Sequence, residues 1–187
     1  MSGAEVRDYF DRIAPEWDRL RQGYFADAVR DEVVRQAQPR SDMQVVDVGC
    51  GTGFLAAAFA PLVAEVNCVD ASPGMLDQAH ERLRGHENVR FHLAEGTSIP
   101  LPDGSVDLAV ANMYLHHTPD PGLAVREMAR ILRPGGRLLL TDIDEHDEEW
   151  MRAEMADVWL GFPRVVAREW LVTAGLEEAS VEDCGHR

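Results

Sequence analysis

The chain has 187 residues, of which 33 are acidic and 18 basic, and its formal net charge at pH 7 is −15. This length suits a single domain with a buried core. The negative charge would repel a phosphate backbone, so we do not expect a nucleic-acid partner. The sequence contains neither an apolar run near the roughly 20 residues of a membrane span nor a secretory signal, which predicts a cytoplasmic protein.

Two residue types narrow the chemistry further. The sequence contains no Lys, which excludes Schiff-base catalysis and the Lys of phosphate-binding loops in nucleoside triphosphatases. Cys50, Cys68 and Cys184 are widely spaced and form no CxxC pair, so neither a disulfide framework nor a structural zinc site is expected.

In chain order, the first 40 residues have helical periodicity, and Met43 begins a pattern of short apolar runs that alternate with helical segments. This alternation is typical of parallel βα units, whose helices cover a buried sheet. We predict strands at about 44–48, 65–70, 89–93, 106–111 and 136–142, with helices near 54–60, 73–84, 121–132, 147–160 and 164–174. An alternating apolar stretch from Leu176 to Val181 predicts a sixth strand.

The most informative stretch is the glycine-rich loop that follows the first strand, Val45 to Gly53. In open parallel sheets, a ligand binds beyond the carboxyl ends of the strands, and a loop with Gly49, Gly51 and Gly53 lets it approach the backbone. A dinucleotide fingerprint would have its third Gly at position 54, which is Phe54. We therefore expect a ligand smaller than a dinucleotide, with Asp47 favouring a cationic amino group.

The second strand ends at Asp70, about 20 residues beyond the loop. A carboxylate at this position accepts hydrogen bonds from both hydroxyls of a ribose. The glycine loop and Asp70 together predict a nucleoside-containing cofactor.

These features resemble the class I S-adenosylmethionine-dependent methyltransferases, of the small-molecule type often described as similar to quinone-biosynthesis enzymes. The motifs that carry the resemblance are Tyr9–Asp18, Asp47–Gly53, Asp70 with Met75, Ile99–Asp107, Leu115–His117 and Leu132–Leu138. The resemblance implies an α/β, Rossmann-like, doubly wound fold with a mostly parallel sheet and helices on both faces. It also implies S-adenosylmethionine as methyl donor and S-adenosylhomocysteine as product.

The resemblance further implies a set of residues around the cofactor. Asp47 and the loop backbone would hold the methionine part, Asp70 the ribose, and Glu95 with Gly96 the adenine, while Asn112 would face the methionine part. The N-terminal helical segment would close over the cofactor. The predicted cofactor-binding residues are Tyr9, Trp17, Asp47, Gly49, Cys50, Gly51, Gly53, Asp70, Ala71, Met75, Glu95, Gly96, Asn112 and Met113.

Three histidines are candidate catalytic groups. His116 and His117 follow the fourth strand, where the methyl group should lie, and His146 follows the fifth. His116 and His117 are candidate general bases for an acceptor that must lose a proton, and His146, with Asp142, could contact a cationic acceptor or a metal. Residues 142–157 carry eight acidic residues and one Arg; they form either a solvated helix start or a site for a cationic acceptor or a divalent metal. No ligand spacing supports a metal, so none is predicted.

The resemblance suggests one domain over residues 1–187, with a helical cap at 1–40, a cofactor-binding core at 41–143, and acceptor-side helices with the last strand at 144–187. Relatives of this type end in a sixth and a seventh strand, and this chain has room for the sixth only. We expect the seventh strand to be missing or truncated, which would expose a strand edge and favour a homodimer.

The predicted function is methyl transfer from S-adenosylmethionine to a small-molecule acceptor. Two alternatives remain open: a non-catalytic module that binds S-adenosylmethionine or its product, and a nicotinamide-dependent oxidoreductase, which Phe54 disfavours.

Overall fold

The computed structural model describes residues 1–184 and contains one parallel five-stranded sheet. The strands are β1 (Gln44–Val48), β2 (Glu65–Asp70), β3 (Val89–Leu93), β4 (Val106–Asn112) and β5 (Leu132–Thr141), in the spatial order β3-β2-β1-β4-β5. The strand order reverses between β1 and β4, and ligands bind at such a switch point in open α/β sheets. The predicted Rossmann-like fold is confirmed.

Helices cover both faces of the sheet, as predicted. They are α1 (Gly3–Ile13), α2 (Trp17–Arg21), α3 (Asp27–Ala37), α4 (Ala56–Phe59), α5 (Pro73–Arg82), α6 (Pro121–Ile131), α7 (Trp150–Glu154) and α8 (Arg164–Thr173). One buried apolar cluster joins the sheet to α3, α4 and α5, and a second joins it to α6 and α8. Among the described residues, no helix has the length and apolar character that crossing a bilayer requires.

Local sequence explains where the principal helices begin. The Ser2 hydroxyl accepts from the Glu5 N–H while the Glu5 carboxylate accepts from the Ser2 N–H, a capping box at the start of α1. Ser72 caps α5 by accepting from the Met75 N–H at 3.0 Å, and Pro73 occupies the first helical position. In each case a side chain satisfies an N–H group of the first turn and fixes where the helix begins.

Three predicted elements were wrong in extent. The helix predicted at 54–60 covers only Ala56–Phe59, and the fifth strand begins at Leu132 rather than near 136. The helix predicted at 147–160 stops at Glu154, because the chain turns at Ala156 with φ of 61° and the N–H groups of Val158 and Trp159 donate to the His116 carbonyl. A contact with a distant residue therefore ends a helix that local periodicity would continue.

The predicted sixth strand was also wrong, since residues 176–181 form neither helix nor strand. Alternation of apolar residues marks a face but cannot supply a neighbouring strand for the backbone hydrogen bonds. The Leu176 N–H donates instead to the Leu171 carbonyl at the end of α8. Within residues 1–184, β5 is consequently an edge of the sheet.

Candidate functional site

A cavity of about 950 Å³, including its open mouth, lies at the carboxyl ends of β1, β2 and β4. Most of the predicted site residues meet there, although they come from distant parts of the sequence. Those that line the cavity are Trp17, Asp47, Gly49, Cys50, Gly51, Asp70, Ala71, Met75, Glu95, Gly96, Asn112, Met113 and His117. Tyr9, Gly53, His116 and His146 do not line it.

The glycine-rich loop turns sharply beneath this cavity. Gly49, Gly51 and Gly53 have φ values of 66°, 52° and 81°, a region that other residues occupy only at a cost of roughly 1–2 kcal/mol. Gly53 faces away from the cavity, because a Cβ there would contact Leu83 and Ala79 of the α5 region. Gly49 and Gly51 therefore form part of the cavity wall, and Gly53 allows the α5 region to pack closely behind the loop.

Tyr114 explains why two of the wall residues are glycines. A Cβ added at Gly49 would overlap the Tyr114 ring, and one added at Gly96 would overlap its hydroxyl. Burial raises the pKa of this hydroxyl, so it stays protonated at neutral pH. Tyr114 is not among the predicted site residues, although its place two residues after β4 was an available signal.

Asp70 holds the loop through both of its carboxylate oxygens. One oxygen accepts from the Gly51 N–H at 2.8 Å and the other from the Ser72 N–H at 2.9 Å. Each oxygen retains a second lone pair, which suits a ribose diol. Burial raises the pKa of Asp70 to about 6, so the carboxylate is ionised at neutral pH.

Asp47 lies near the end of β1, just before the first glycine of the loop. Its side chain is buried, and one oxygen accepts from the Ala56 N–H at 3.0 Å at the start of α4. Burial raises the pKa of Asp47 to about 7. Asp47 therefore fixes the loop to the short helix that follows, while it also borders the cavity.

The N-terminal segment closes one side of the cavity. Phe10 on α1 lines it and packs edge-on against Trp17 and His117, with ring centroids 5.4 and 4.8 Å apart. Asp11 fastens α1 to the loop after β2 by accepting from the Ser72 hydroxyl at 2.6 Å. Tyr9 points elsewhere, because its hydroxyl donates to the Glu154 carbonyl at 2.7 Å. The predicted closing segment is in place, but Phe10 rather than Tyr9 faces the cavity.

A second, smaller cavity of about 280 Å³ adjoins the first. Trp17, Phe25, Met113 and His117 border both cavities. The remaining lining residues are Tyr24, His116, Met151, Met155 and Asp157. Methionine and aromatic side chains thus surround a polar group formed by His116, His117 and Asp157.

The two adjacent histidines differ in charge preference. The His116 Nδ1 lies 2.7 Å from the Asp142 carboxylate; burial lowers the pKa of His116, but Asp142 outweighs this and raises it overall. Burial and the neighbouring His116 hold the pKa of His117 well below its usual value. His117 is therefore neutral at pH 7, and it is the one predicted base that lines the larger cavity.

His146 and Asp157 complete this region. His146 accepts from the Glu148 N–H through Nδ1 at 3.2 Å, and it borders neither cavity. Asp157 is 1 % exposed, and burial raises its pKa. Asp157 is one of eight acidic residues in 142–157, and nothing in the sequence distinguishes it from the other seven. Only the tertiary structure buries it beside His116 and His117.

Comparison with known families agrees with this geometry. Residues 46–140, just over half of the chain, match the family model described as a methyltransferase domain. The uncharacterized methyltransferase YcgJ of Bacillus subtilis is 40% identical over 112 residues, which are 59% of this chain and 44% of YcgJ. Its crystal structure superimposes with a TM-score of 0.70, covering 78% of this chain and 66% of that chain at 29% identity.

Two further proteins extend the comparison. The demethylmenaquinone methyltransferase of Clavibacter sepedonicus is 30% identical over 143 residues, 74% of this chain and 58% of that protein. A methyltransferase structure from Aquifex aeolicus, with a TM-score of 0.71 and 22% identity, covers 100% of this chain and 95% of that chain and supports the fold. The chain spans about half the length of the curated relatives it matches. From the family match and the loop geometry, the chain belongs to the class I S-adenosylmethionine-dependent methyltransferases.

Proposed function

We propose that this chain transfers the methyl group of S-adenosylmethionine to a small-molecule acceptor by in-line displacement. The observation that carries the proposal is the pair of adjoining cavities: one has the loop and carboxylate of a cofactor site, and the other is lined mainly by apolar side chains. Four residues border both, so a donor in the first cavity and an acceptor in the second would meet. The sulfonium donor is already activated, so alignment and exclusion of water supply most of the catalysis.

The lining of the second cavity favours an acceptor with an apolar body and one polar group. Phe25, Met151 and Met155 provide apolar contact, and His117 offers a neutral imidazole beside the larger cavity. A phenol or a quinol fits this description better than a charged amine does. One relative is named for its action on demethylmenaquinone, which supports testing quinols first.

Calorimetric titrations with S-adenosylmethionine, S-adenosylhomocysteine and NAD test the cofactor, and we expect the first two to bind. Formation of S-adenosylhomocysteine in a screen of quinols, phenols, amines and thiols tests the reaction. The Asp70→Ala variant should lose cofactor affinity and turnover, whereas Asp77→Asn, on the exposed side of α5, should keep both. Binding of NAD alone would contradict the proposal. Cofactor binding without turnover of any acceptor class would favour a non-catalytic binding module.

Three properties expected from the sequence stay predictions. A homodimer was expected at the edge of the sixth strand; because residues 176–181 form no strand, we now expect it at the edge of β5. The net charge of −15 argues against nucleic acid, and we still expect a cytoplasmic location. Sedimentation equilibrium, a DNA- and RNA-binding assay and cell fractionation test them separately.

A further inference from the structure

Three buried side chains form a compact polar cluster at the wall of the second cavity. They are His116, His117 and Asp157, with exposures of 3%, 9% and 1%. One potential ligand atom from each lies within 4.8 Å of the other two. His116 and His117 approach the same Asp157 oxygen, through Nε2 at 3.8 Å and Nδ1 at 3.6 Å. Without a metal ion, the His117 Nδ1–H donates to the Ala156 carbonyl at 3.3 Å, so a metal ion bound at Nδ1 would replace that proton.

Asp157 has no hydrogen-bond partner for either carboxylate oxygen among the described residues. The two imidazole nitrogens stand beyond ordinary hydrogen-bond distance from it. A buried carboxylate in this situation is unfavourable unless a positive charge or a metal ion compensates it. The cluster therefore has at its centre a buried carboxyl group without a hydrogen-bond partner among the described residues.

His116 is oriented as metal-binding histidines usually are. Its Nδ1 lies 2.7 Å from Asp142, so the Nδ1–H donates to that carboxylate and Nε2 faces Asp157 at 3.8 Å, where a metal ion would take the place of a proton. Asp142 is itself fixed, since it accepts from the N–H groups of Leu115 and Ile143 at 2.8 and 2.9 Å. A carboxylate that holds one ring nitrogen of a histidine sets the tautomer and orientation for metal binding through the other nitrogen.

His146 has the opposite arrangement. Its Nδ1 accepts from the Glu148 N–H at 3.2 Å, which places the proton of the neutral ring on Nε2. His146 is also not one of the three residues whose potential ligand atoms converge, so it is a neighbour of the cluster and not a ligand.

We propose that His116, His117 and Asp157 bind a divalent transition-metal ion of the Zn²⁺ type. Imidazole nitrogen favours such ions over Mg²⁺ and Ca²⁺, which prefer oxygen ligands. A zinc ion about 2.1 Å from each ligand atom brings those atoms to roughly 3.4 Å from one another, so the cluster contracts slightly on binding. The proposal departs from the sequence analysis, which predicts no metal site.

The position of the cluster suggests what the ion would do. All three ligands border the second cavity, and an acceptor hydroxyl or thiol there would complete the coordination and lose its proton more readily. This role rests on the proposed methyl transfer, and it replaces the free-base role predicted for the two histidines. Metal binding itself is measured without cofactor or acceptor, so its outcome is independent of the proposed function.

The test is calorimetric titration of the tag-free, chelator-treated protein with ZnCl₂. We expect binding of a single ion per chain and no comparable heat with MgCl₂. The Asp157→Asn variant should bind Zn²⁺ at least about 100-fold more weakly, and Asp142→Asn about 10- to 100-fold more weakly. The exposed His86→Gln and Asp77→Asn variants are matched controls and should bind as the parent does.

Circular dichroism of each variant establishes that it is folded, and we expect Asp157→Asn to be so because the amide removes an uncompensated charge. If that variant is unfolded, His116→Gln takes its place, with the same expected loss of Zn²⁺. Addition of Co²⁺ gives a second readout, as the visible spectrum of a bound Co²⁺ should change in both ligand variants. Failure of the folded parent to bind Zn²⁺, or equal binding by the parent and the ligand variant, would overturn the proposal.

Discussion

Protonation of Asp70 should weaken cofactor binding as the pH falls through about 6. Its carboxylate already accepts the Gly51 and Ser72 N–H groups, one on each oxygen. Only the second lone pairs remain for a ribose diol, and a proton on the carboxyl group removes one of them. Burial raises the pKa of this group to about 6, within a range that is accessible to experiment.

The size of the loss in cofactor affinity follows from the pKa of Asp70. If only the ionised carboxylate binds the ribose, affinity falls about tenfold for each pH unit below about 6, or about 1.4 kcal/mol per unit. S-adenosylhomocysteine should therefore bind about tenfold more weakly at pH 5 than at pH 8. Because the ionised form of Asp70 is the one that binds the ribose, the affinity is high above the pKa of Asp70 and is lost below it.

Calorimetric titration with S-adenosylhomocysteine across pH 5–8 measures this directly. Asp70→Asn should bind about 1–3 kcal/mol more weakly at pH 8 and lack the step near pH 6. Asp77→Asn should retain both the affinity and the step. Because the pKa of Asp47 is about 7, Asp47→Asn is a further control that should keep the step near 6. Equal affinity at pH 5 and pH 8, or a step that survives Asp70→Asn, would refute the reasoning.

Three further predictions concern the cavity wall. Burial raises the pKa of Asp47 from 3.8 to about 7, so ionisation of Asp47 destabilises the folded state as the pH rises. In urea unfolding, Asp47→Asn should be more stable than the parent at pH 8, by up to about 4 kcal/mol. At pH 4 the variant should show no such gain. Gly49→Ala should abolish S-adenosylhomocysteine binding through overlap with Tyr114, and adding Tyr114→Ala should partly restore it in calorimetry. Asp11→Ala, which frees α1 from Ser72, should weaken S-adenosylhomocysteine binding by roughly 1–3 kcal/mol, and unchanged affinity would show that α1 is held otherwise.

The sequence alone predicted the five strands of the sheet, most of the helices and most of the residues that line the larger cavity. These features are local: a glycine-rich turn needs positive φ at fixed positions, a cap needs Ser72 before Pro73, and Asp70 ends its strand. Parallel strands also bring their carboxyl ends to one edge of a sheet. The sequence therefore predicts that the residues that follow β1, β2 and β4 are neighbours in space.

The tertiary structure alone decided which residues face which cavity. The resemblance implied Tyr9 as a cofactor-binding residue, but its hydrogen bond to the Glu154 carbonyl turns Tyr9 away, and its neighbour Phe10 lines the cavity. The Tyr114 ring is adjacent to Gly49 in space and 65 residues away along the chain, so no local pattern connects them. A side chain's environment in such cases is set by segments that are far apart in sequence.

The same limit applies most strongly to the cluster of His116, His117 and Asp157. Asp157 lies about 40 residues after the histidines, in a segment that the sequence predicts to be a helix and that the structure ends early. The turn at Ala156 buries the Asp157 carboxylate, whereas most of the other acidic residues in 142–157 are exposed. The sequence itself does not distinguish Asp157 from them. Local sequence thus specifies backbone conformation and residue chemistry, whereas burial and the meeting of distant side chains arise only when the whole chain packs.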